Sequence, residues 1–422
     1  MSRARVLFVD PSPFHGGGAT VSLYRLIKHL DRQWYEPIVL FHKCGPTDHY
    51  VIKLQELDVE VLALRNDGAD APLEREHTSN RRARSSWVEQ LAAWKRRHRP
   101  VEAAYSVWRS GHHFLAVDLP RCLTMARILK EQQIDLVHLN NAVHSHRGGI
   151  MAARLVGVPC VCHVRVFDRF EMVDVPLLRS VDYFVYMSRA LEAHVQSQWP
   201  AAVGSVIYDG LELTDYLRPY DVAAARAEFG LSSDDFIVGN VGRLVGWKGQ
   251  DVFIRALAEI AHKVPDLKAL IVGKPNRGHE SYLDELKALA ASYGLAQQVI
   301  FTGFRLDVPR LLAAMDVVVH SSSRPEPFGL VVIEGMAAGK PVIATQGGGP
   351  LDSIEEGVDG LLVPLEDPEA MAQAILSLYN DRERASAMGA KAREKALKLF
   401  TVQRFATEIQ GKFDFLLESK GA

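Results

Sequence analysis

The sequence predicts an α/β protein built from two doubly wound domains that face a central cleft. Three observations predict it. β-Branched apolar runs alternate with helically spaced segments through the first half of the chain. The alternation breaks over Asp209 to Asp221, a stretch that reads as a linker, and then restarts. Arg324 to Thr345, RPEPFGLVVIEGMAAGKPVIAT, closes a strand–loop–helix–strand unit of the kind found in open parallel sheets, which bind ligands at the carboxyl ends of their strands.

The elements follow in order. Arg5 to Asp10 is a strand, followed by the glycine-rich loop FHGGGAT and a helix from Ala19 to Leu30. Strands recur at Glu36 to His42, Val59 to Leu64, Asp135 to Asn140, Val158 to Val164, Asp182 to Met187 and Gly204 to Tyr208. Helical spacing lies between most of them, for example over Leu123 to Gln132 and Leu191 to Trp199. The second half gives strand Phe236 to Val241, helix Gln250 to Lys263, strand Leu267 to Val272, helix Ser281 to Ser292 and strands Gln298 to Phe301 and Asp316 to His320. Helix Gly329 to Ala338 ends at Gly339 and Pro341, and strand Val342 to Thr345 follows. After Asp367 the chain is helical nearly to its end. The domains expected are 1–215, with an insertion at 66–120, then 216–398, and a final helix 399–422 crossing back to the first domain.

The loop before helix Gly329 to Ala338 presents the carboxylate of Glu326 and the free backbone N–H groups of Phe328, Gly329 and Leu330; Glu334 lies about one turn further on. Helix starts carry unpaired donors and a positive dipole end, so they suit a phosphate. Carboxylates suit hydroxyl groups. Phosphate and polyol together describe a nucleotide sugar.

Composition narrows the classes. The chain has 422 residues, 48% of them hydrophobic and 24% charged, too many for one ordinary core. A net charge of −2 argues against general nucleic-acid binding. The four cysteines, Cys44, Cys122, Cys160 and Cys162, lack both a disulfide framework and a metal-ligand spacing. Cys160 and Cys162 share one strand face, which favours core packing. No run of 18 apolar residues occurs and MSRARVLFVD enters a strand directly, so a cytoplasmic protein is expected.

Within the insertion, Arg81 to Arg109 interleaves basic and aromatic residues. Two readings stand. The segment is a helical hairpin whose aromatics cover the first domain, the reading the pattern slightly favours, or it lies peripherally on the inner, anionic face of a membrane.

From Phe236 to Pro364 the chain resembles the donor domain of retaining glycosyltransferases of the large glycosyltransferase-4 family, which have the GT-B fold of two Rossmann-like domains. Five segments carry the resemblance in order: GNVGRLVGWKGQD, LIVGKP, VIFTGF, DVVVHSSSRPEPFGLVVIEGMAAGKPVIAT and GGGPLDSIEEGVDGLLVP. The first half matches more loosely, through the glycine-rich loop, VHLNN, the HVR stretch and YMSRAL.

The resemblance implies roles. Arg243 and Lys248 bind the donor diphosphate and neutralise the leaving group. Glu334 holds the ribose hydroxyls, and Glu326 faces the transferred sugar. Gly303, Phe304 and Arg305 border the nucleobase. Gly16, Gly17 and Gly18 bring backbone close to the diphosphate; their spacing is no dinucleotide fingerprint. His163 reaches the cleft near the reacting carbon, and Arg165 assists with phosphate or acceptor charge. Asp352 stands where the family usually has Glu, and Asp209 where it commonly has Asn; Asp209 receives no role.

The implied reaction moves a hexose-type sugar, most readily from a UDP-sugar, to a hydroxyl of a glycan, glycolipid or small-molecule acceptor, with retention. No Asp-x-Asp occurs in the sequence, so Arg243, Lys248 and helix amides replace a metal, and no cofactor is required. A nucleotide-sugar epimerase of the same fold needs further acid/base groups around the sugar. A silent nucleotide-sugar sensor should lack part of the set that Arg243, Lys248, Glu326 and Glu334 complete.

Overall fold

The computed structural model describes residues 3–11, 18–64, 111–171, 173–276 and 278–421. Two all-parallel sheets carry the fold. The first contains β1 (Ala4–Asp10), β2 (Tyr35–Phe41), β3 (Glu60–Ala63), β4 (Leu136–Asn141), β5 (Cys160–Val164), β6 (Tyr183–Tyr186) and β7 (Gly204–Val206), in the order β3-β2-β1-β4-β5-β6-β7. The second contains β8 (Phe236–Val241), β9 (Leu267–Val272), β10 (Val299–Gly303), β11 (Val317–His320), β12 (Val342–Thr345) and β13 (Leu361–Val363), in the order β10-β9-β8-β11-β12-β13. Both orders reverse once, between β1 and β4 and between β8 and β11. Crevices open at those reversals, above the carboxyl ends of the strands.

The central strands are Val-, Ile- and Leu-rich because helices cover both faces of each sheet, and β8, β11 and β12 are almost wholly buried. Four helices begin where a side chain satisfies an orphan N–H group. Ser188 caps helix Arg189–Gln198, Asp221 caps Val222–Ala227, Asp367 caps Pro368–Asn380 and Asp381 caps Arg382–Leu399.

The linker is less irregular than its composition suggests. It contains a helical turn, Thr214–Leu217, which packs on helices Val308–Ala314 and Leu330–Ala337. Its first residues run beside the second crossing of the chain. Leu211 N donates to Phe400 O at 2.9 Å, and Val402 N donates to Leu211 O at 3.1 Å. The final helix, Val402–Gly421, returns to the first sheet. Phe405, Ile409, Phe413 and Leu416 recur on one helical stripe and are buried in a cluster with Phe8, Tyr35, Val161 and Val185. Tyr208, Phe328 and Phe400 join the two domains; the rings of Tyr208 and Phe328 stack with centroids 5.9 Å apart.

The expected insertion falls largely on residues 65–110, outside the described residues, and with it both readings of 81–109. Among the described residues no helix is long and apolar enough to cross a membrane. All four cysteines are free, and Cys122, Cys160 and Cys162 are buried.

Candidate active site

The site is built on the two strand ends at the reversal of the second sheet. β8 leads into the loop carrying Arg243 and Lys248, and β11 leads into the loop carrying Glu326. Asn240 ties the two strand ends together: its Nδ2 donates to Val319 O at 3.0 Å and to Ser321 Oγ at 2.9 Å. Ser321 Oγ in turn donates to Lys248 O at 2.9 Å. Gly249 makes that closeness possible. It sits at φ 66°, and a Cβ there would stand 1.9 Å from Ser321 O.

Glu326 is 8% exposed and its Oε2 collects a ring of partners. Lys248 Nζ lies at 2.7 Å, Ser322 Oγ donates at 2.9 Å, and His320 Nε2 lies at 3.3 Å. Thr345 and Ser322 hold the imidazole from its two sides. Burial pushes the carboxyl upward, but Lys248 and His320 outweigh it and hold Glu326 well below the usual carboxylate range. Glu326 is therefore a fixed anion. Its backbone is clamped by the glycine loop that follows β12: Glu326 N donates to Gly347 O at 3.1 Å and accepts, through its carbonyl, from Gly349 N at 2.8 Å. Gly348 lies at φ 73° with a virtual Cβ 1.9 Å from Glu326 O, so only glycine fits the clamp.

Arg243 is half-buried at the mouth of the same crevice, and its guanidinium makes no hydrogen bond or ion pair among the described residues. The N–H groups of Phe328, Gly329 and Leu330 also donate to no described residue. The Phe328 ring itself is core. A helix of the first domain approaches them: Gly18 lies in helix Gly18–Lys28, and a Cβ on Gly18 would come within 3.0 Å of Leu330 Cδ1. The positive end of helix Leu330–Ala337, Arg243 and Lys248 therefore border one space, a strong attractor for a multiply charged anion. Gly16 and Gly17 lie outside the described residues.

Glu334 lies one turn into helix Leu330–Ala337. The helical turn that carries Tyr216 packs on this helix, and Arg25 of the first domain and Tyr216 both draw the carboxyl towards its charged form. Burial outweighs both, so the carboxyl sits above its ordinary value. Gly303 has φ 74° and ends β10; the next residue, Phe304, is 42% exposed with Lys274 Nζ 4.9 Å above its ring. The Arg305 side chain is not free for a base. It is held by Asp307 at 2.8 Å through two nitrogens and by Glu228 at 2.6 Å.

Two expected residues sit differently from their sequence reading. His163 does not reach the cleft: it is fully buried, its ring lies 5.5 Å from that of His138 and 6.1 Å from that of Phe405, and its Nε2 has no partner. Burial, then Arg165 and His138, push its pKa far down, so the ring is neutral. Arg165 is likewise committed. Its Nε donates to Asn140 Oδ1 at 2.6 Å, Nη1 to Asp209 Oδ2 at 2.8 Å and Nη2 to Ser22 Oγ at 2.8 Å, all buried. It serves as a structural cation joining the ends of β4 and β5 to the linker.

The same contacts reveal residues that sequence reasoning missed. Asp209, given no role, is wholly buried and accepts from Ser22 at 2.5 Å as well as from Arg165. Asn140 passes the network on to Asp10 at 2.5 Å. Asp352, which stands where the family usually has Glu, accepts from Arg189 N at 2.7 Å and so receives the start of a first-domain helix. His320, Ser322 and Thr345 complete the Glu326 ring; the signal for the first two was the polar HSS directly after an apolar strand.

Comparisons with known proteins agree with this geometry. The family described as Glycosyl transferases group 1 matches residues 221–395, and that described as Glycosyltransferase Family 4 matches residues 16–215. The D-inositol 3-phosphate glycosyltransferase of Rhodococcus opacus is 33% identical over 65% of this chain and 68% of its own. The lipopolysaccharide core biosynthesis mannosyltransferase LpsB of Rhizobium meliloti is 29% identical over 57% of this chain and 68% of its own. Among solved structures, Anabaena HepE in complex with UDP and glucose superposes with a TM-score of 0.77, at 26% identity, over 98% of this chain and 100% of that one.

Proposed function

This chain belongs to the GT-B glycosyltransferases of the group 1 and family 4 type, and on that premise we propose that it transfers a hexose from a UDP-sugar to an acceptor hydroxyl with retention and without a metal ion. The observation that carries the reading is the start of helix Leu330–Ala337, with Gly18 of the first domain against it, beside the Lys248 ammonium and the Arg243 guanidinium, which has no partner among the described residues. A UDP diphosphate placed there receives backbone N–H groups from Phe328 to Leu330 and charge from both cations. Glu334 accepts from the ribose hydroxyls. The uracil lies along Gly303 and Phe304. The complexes of the Anabaena neighbour with UDP and with UDP-glucose support the choice of base.

Chemistry then follows from charge. As the bond between the anomeric carbon and the β-phosphate oxygen lengthens, negative charge builds on the phosphate, where Arg243, Lys248 and the start of helix Leu330–Ala337 already stand. Positive charge builds on the sugar ring, close to the fixed anion of Glu326. The acceptor hydroxyl attacks from the face the phosphate leaves and gives its proton to the departing phosphate oxygen, so configuration is retained. Glu326 acts in recognition and in stabilising the oxocarbenium ion; its tie to Lys248 makes it a poor covalent nucleophile. His163 acts from behind, packing the strand end that carries Arg165.

Thermal-shift measurement against UDP, GDP, ADP and their sugars tests the reading, since ligands that bind only the native state raise its melting point. UDP and at least one UDP-sugar should raise it with EDTA present. A flat response to all three nucleotides would overturn the donor assignment.

A further inference from the structure

The helix whose start faces the donor has a second cavity at its other end. It measures about 210 Å³ and lies between the linker and the residues that follow helix Leu330–Ala337. Three cationic side chains line it, Arg218, Lys340 and Arg393, together with the rings of Tyr216 and Tyr220, and no Asp or Glu lines it. Lys340 Nζ donates to Ala313 O at 2.8 Å, which uses one of its three protons. Arg218 Nε donates to Tyr220 OH at 2.7 Å. Arg393 is half-buried, runs against Gly339, and makes no hydrogen bond or ion pair among the described residues.

The neighbouring carboxylates do not cancel this charge. Asp316, the acid nearest Lys340, is held by both its oxygens by Arg226 at 3.2 Å. Asp215 acts on Arg218 from the linker side, and Glu394 lines an adjoining cavity that shares Lys340 and Arg393 with this one but makes no ion pair with either among the described residues. Lys340 Nζ caps the last turn of a different helix, Val308–Ala314, through Ala313 O, whereas the Arg393 guanidinium bonds no carbonyl among the described residues.

We propose that this cavity is a second anion site, which takes a small phosphate-bearing metabolite and tunes donor binding through Tyr216. Guanidinium forks and an ammonium around one space match the oxygens of a phosphate, whose charge they share through charge-assisted bonds. The volume is below the roughly 300–1,000 Å³ of sites for drug-sized ligands, so the partner is small. Prolines and alanines on the rim accept a short organic part. Tyr216 connects the sites: its ring lines the cavity, and the helical turn that carries it packs on the helix that carries Glu334. An anion that draws the linker onto Arg393 and Lys340 fixes Tyr216, and with it the carboxylate assigned to the ribose. This coupling rests on the donor reading above; the anion site itself does not.

Calorimetric titration of inorganic pyrophosphate into the full chain saturated with UDP tests the site, because UDP keeps the probe out of the donor diphosphate position. Binding should persist under UDP, weaken at least tenfold in Arg393→Ala, and return to within about threefold of the parent in Arg393→Lys. Displacement by UDP, no binding, or equal binding by Arg393→Ala would overturn the site. Glucose 6-phosphate and inorganic phosphate run in parallel separate the sources: tighter binding of the sugar phosphate supports a metabolite, and equal or weaker binding removes that half. Tyr216→Phe should keep pyrophosphate affinity but abolish its effect on the Kd for UDP; an unchanged effect would remove the coupling. If the parent chain fails to bind UDP, the donor reading is what falls, and pyrophosphate titrated alone still tests the cavity.

Discussion

Replacing Lys248 with alanine removes the cation that stands 2.7 Å from the Glu326 carboxylate and leaves that carboxylate buried. At this separation and an effective dielectric constant of about 20, the gross attraction is about 6 kcal/mol, most of it offset by the cost of desolvating both charges. Breaking a buried pair from one side typically costs about 3–5 kcal/mol. Because Ser322 and His320 still hold the carboxylate, the lower end applies here, about 3 kcal/mol of stability. The sign of the pH effect is fixed. A carboxyl depressed in the folded state stabilises above its unfolded pKa of about 4.3 and loses that contribution as pH falls through the folded value. Without Lys248 the folded value rises, so acid unfolding should begin at higher pH. Turnover should also suffer, since one charge-assisted bond to the leaving phosphate is worth about 1.5–3 kcal/mol, a loss of about tenfold to a hundredfold. Urea melts at pH 4 to 8 and UDP release from a UDP-sugar measure the two effects. Parent-like kcat/KM together with an unchanged acid midpoint would refute the pairing and its role.

Other outcomes follow from the same geometry. Arg243→Ala should lose about tenfold to a hundredfold in donor turnover with little change in stability, because the side chain has no partner to lose; an equal loss of stability would argue for a structural role. Gly348→Ala should destabilise the Glu326 clamp and raise the donor KM, read by urea melts and initial rates, because its Cβ would meet Glu326 O at 1.9 Å. Arg165→Ala should cost about 3–5 kcal/mol by stranding Asp209, and Asp209→Asn in the same chain should recover part of it; a thermodynamic cycle without coupling would contradict the network. His144, 2.7 Å from Asp168, titrates above its ordinary value, first because of that bond. The pair should therefore stabilise fully below about pH 6.5 and fade as pH rises through the folded value, and NMR titration should find the shift removed in Asp168→Asn.

The sheets were legible because parallel strands buried on both faces are continuous β-branched runs, and FIVGNV, DVVVH and PVIAT are such runs. The meeting of Lys248 and Glu326 was legible because each sits in a loop directly after a strand of one sheet. What the sequence did not disclose was depth. His163 follows a strand as a cleft residue should, yet Phe405, more than two hundred residues later, packs against it. Asp209 looked idle because its partners, Ser22 and Arg165, arrive from helix Gly18–Lys28 and from the end of β5. The partner of Asp352 could not be read from its own loop, because the Arg189 N–H that it accepts comes from the other domain. Strand and helix patterns are local, but burial and pairing across a cleft depend on which distant segments meet.

The account stands most directly on the stereochemistry of the sugar released. With the UDP-sugar that gives the largest thermal shift, slow hydrolysis in the presence of EDTA can be followed by proton NMR before the product equilibrates. Retention without a metal predicts that the α-anomer accumulates first from an α-linked donor, and that Arg243→Ala slows its appearance. First appearance of the β-anomer, or hydrolysis restored only by added Mn²⁺, would contradict it.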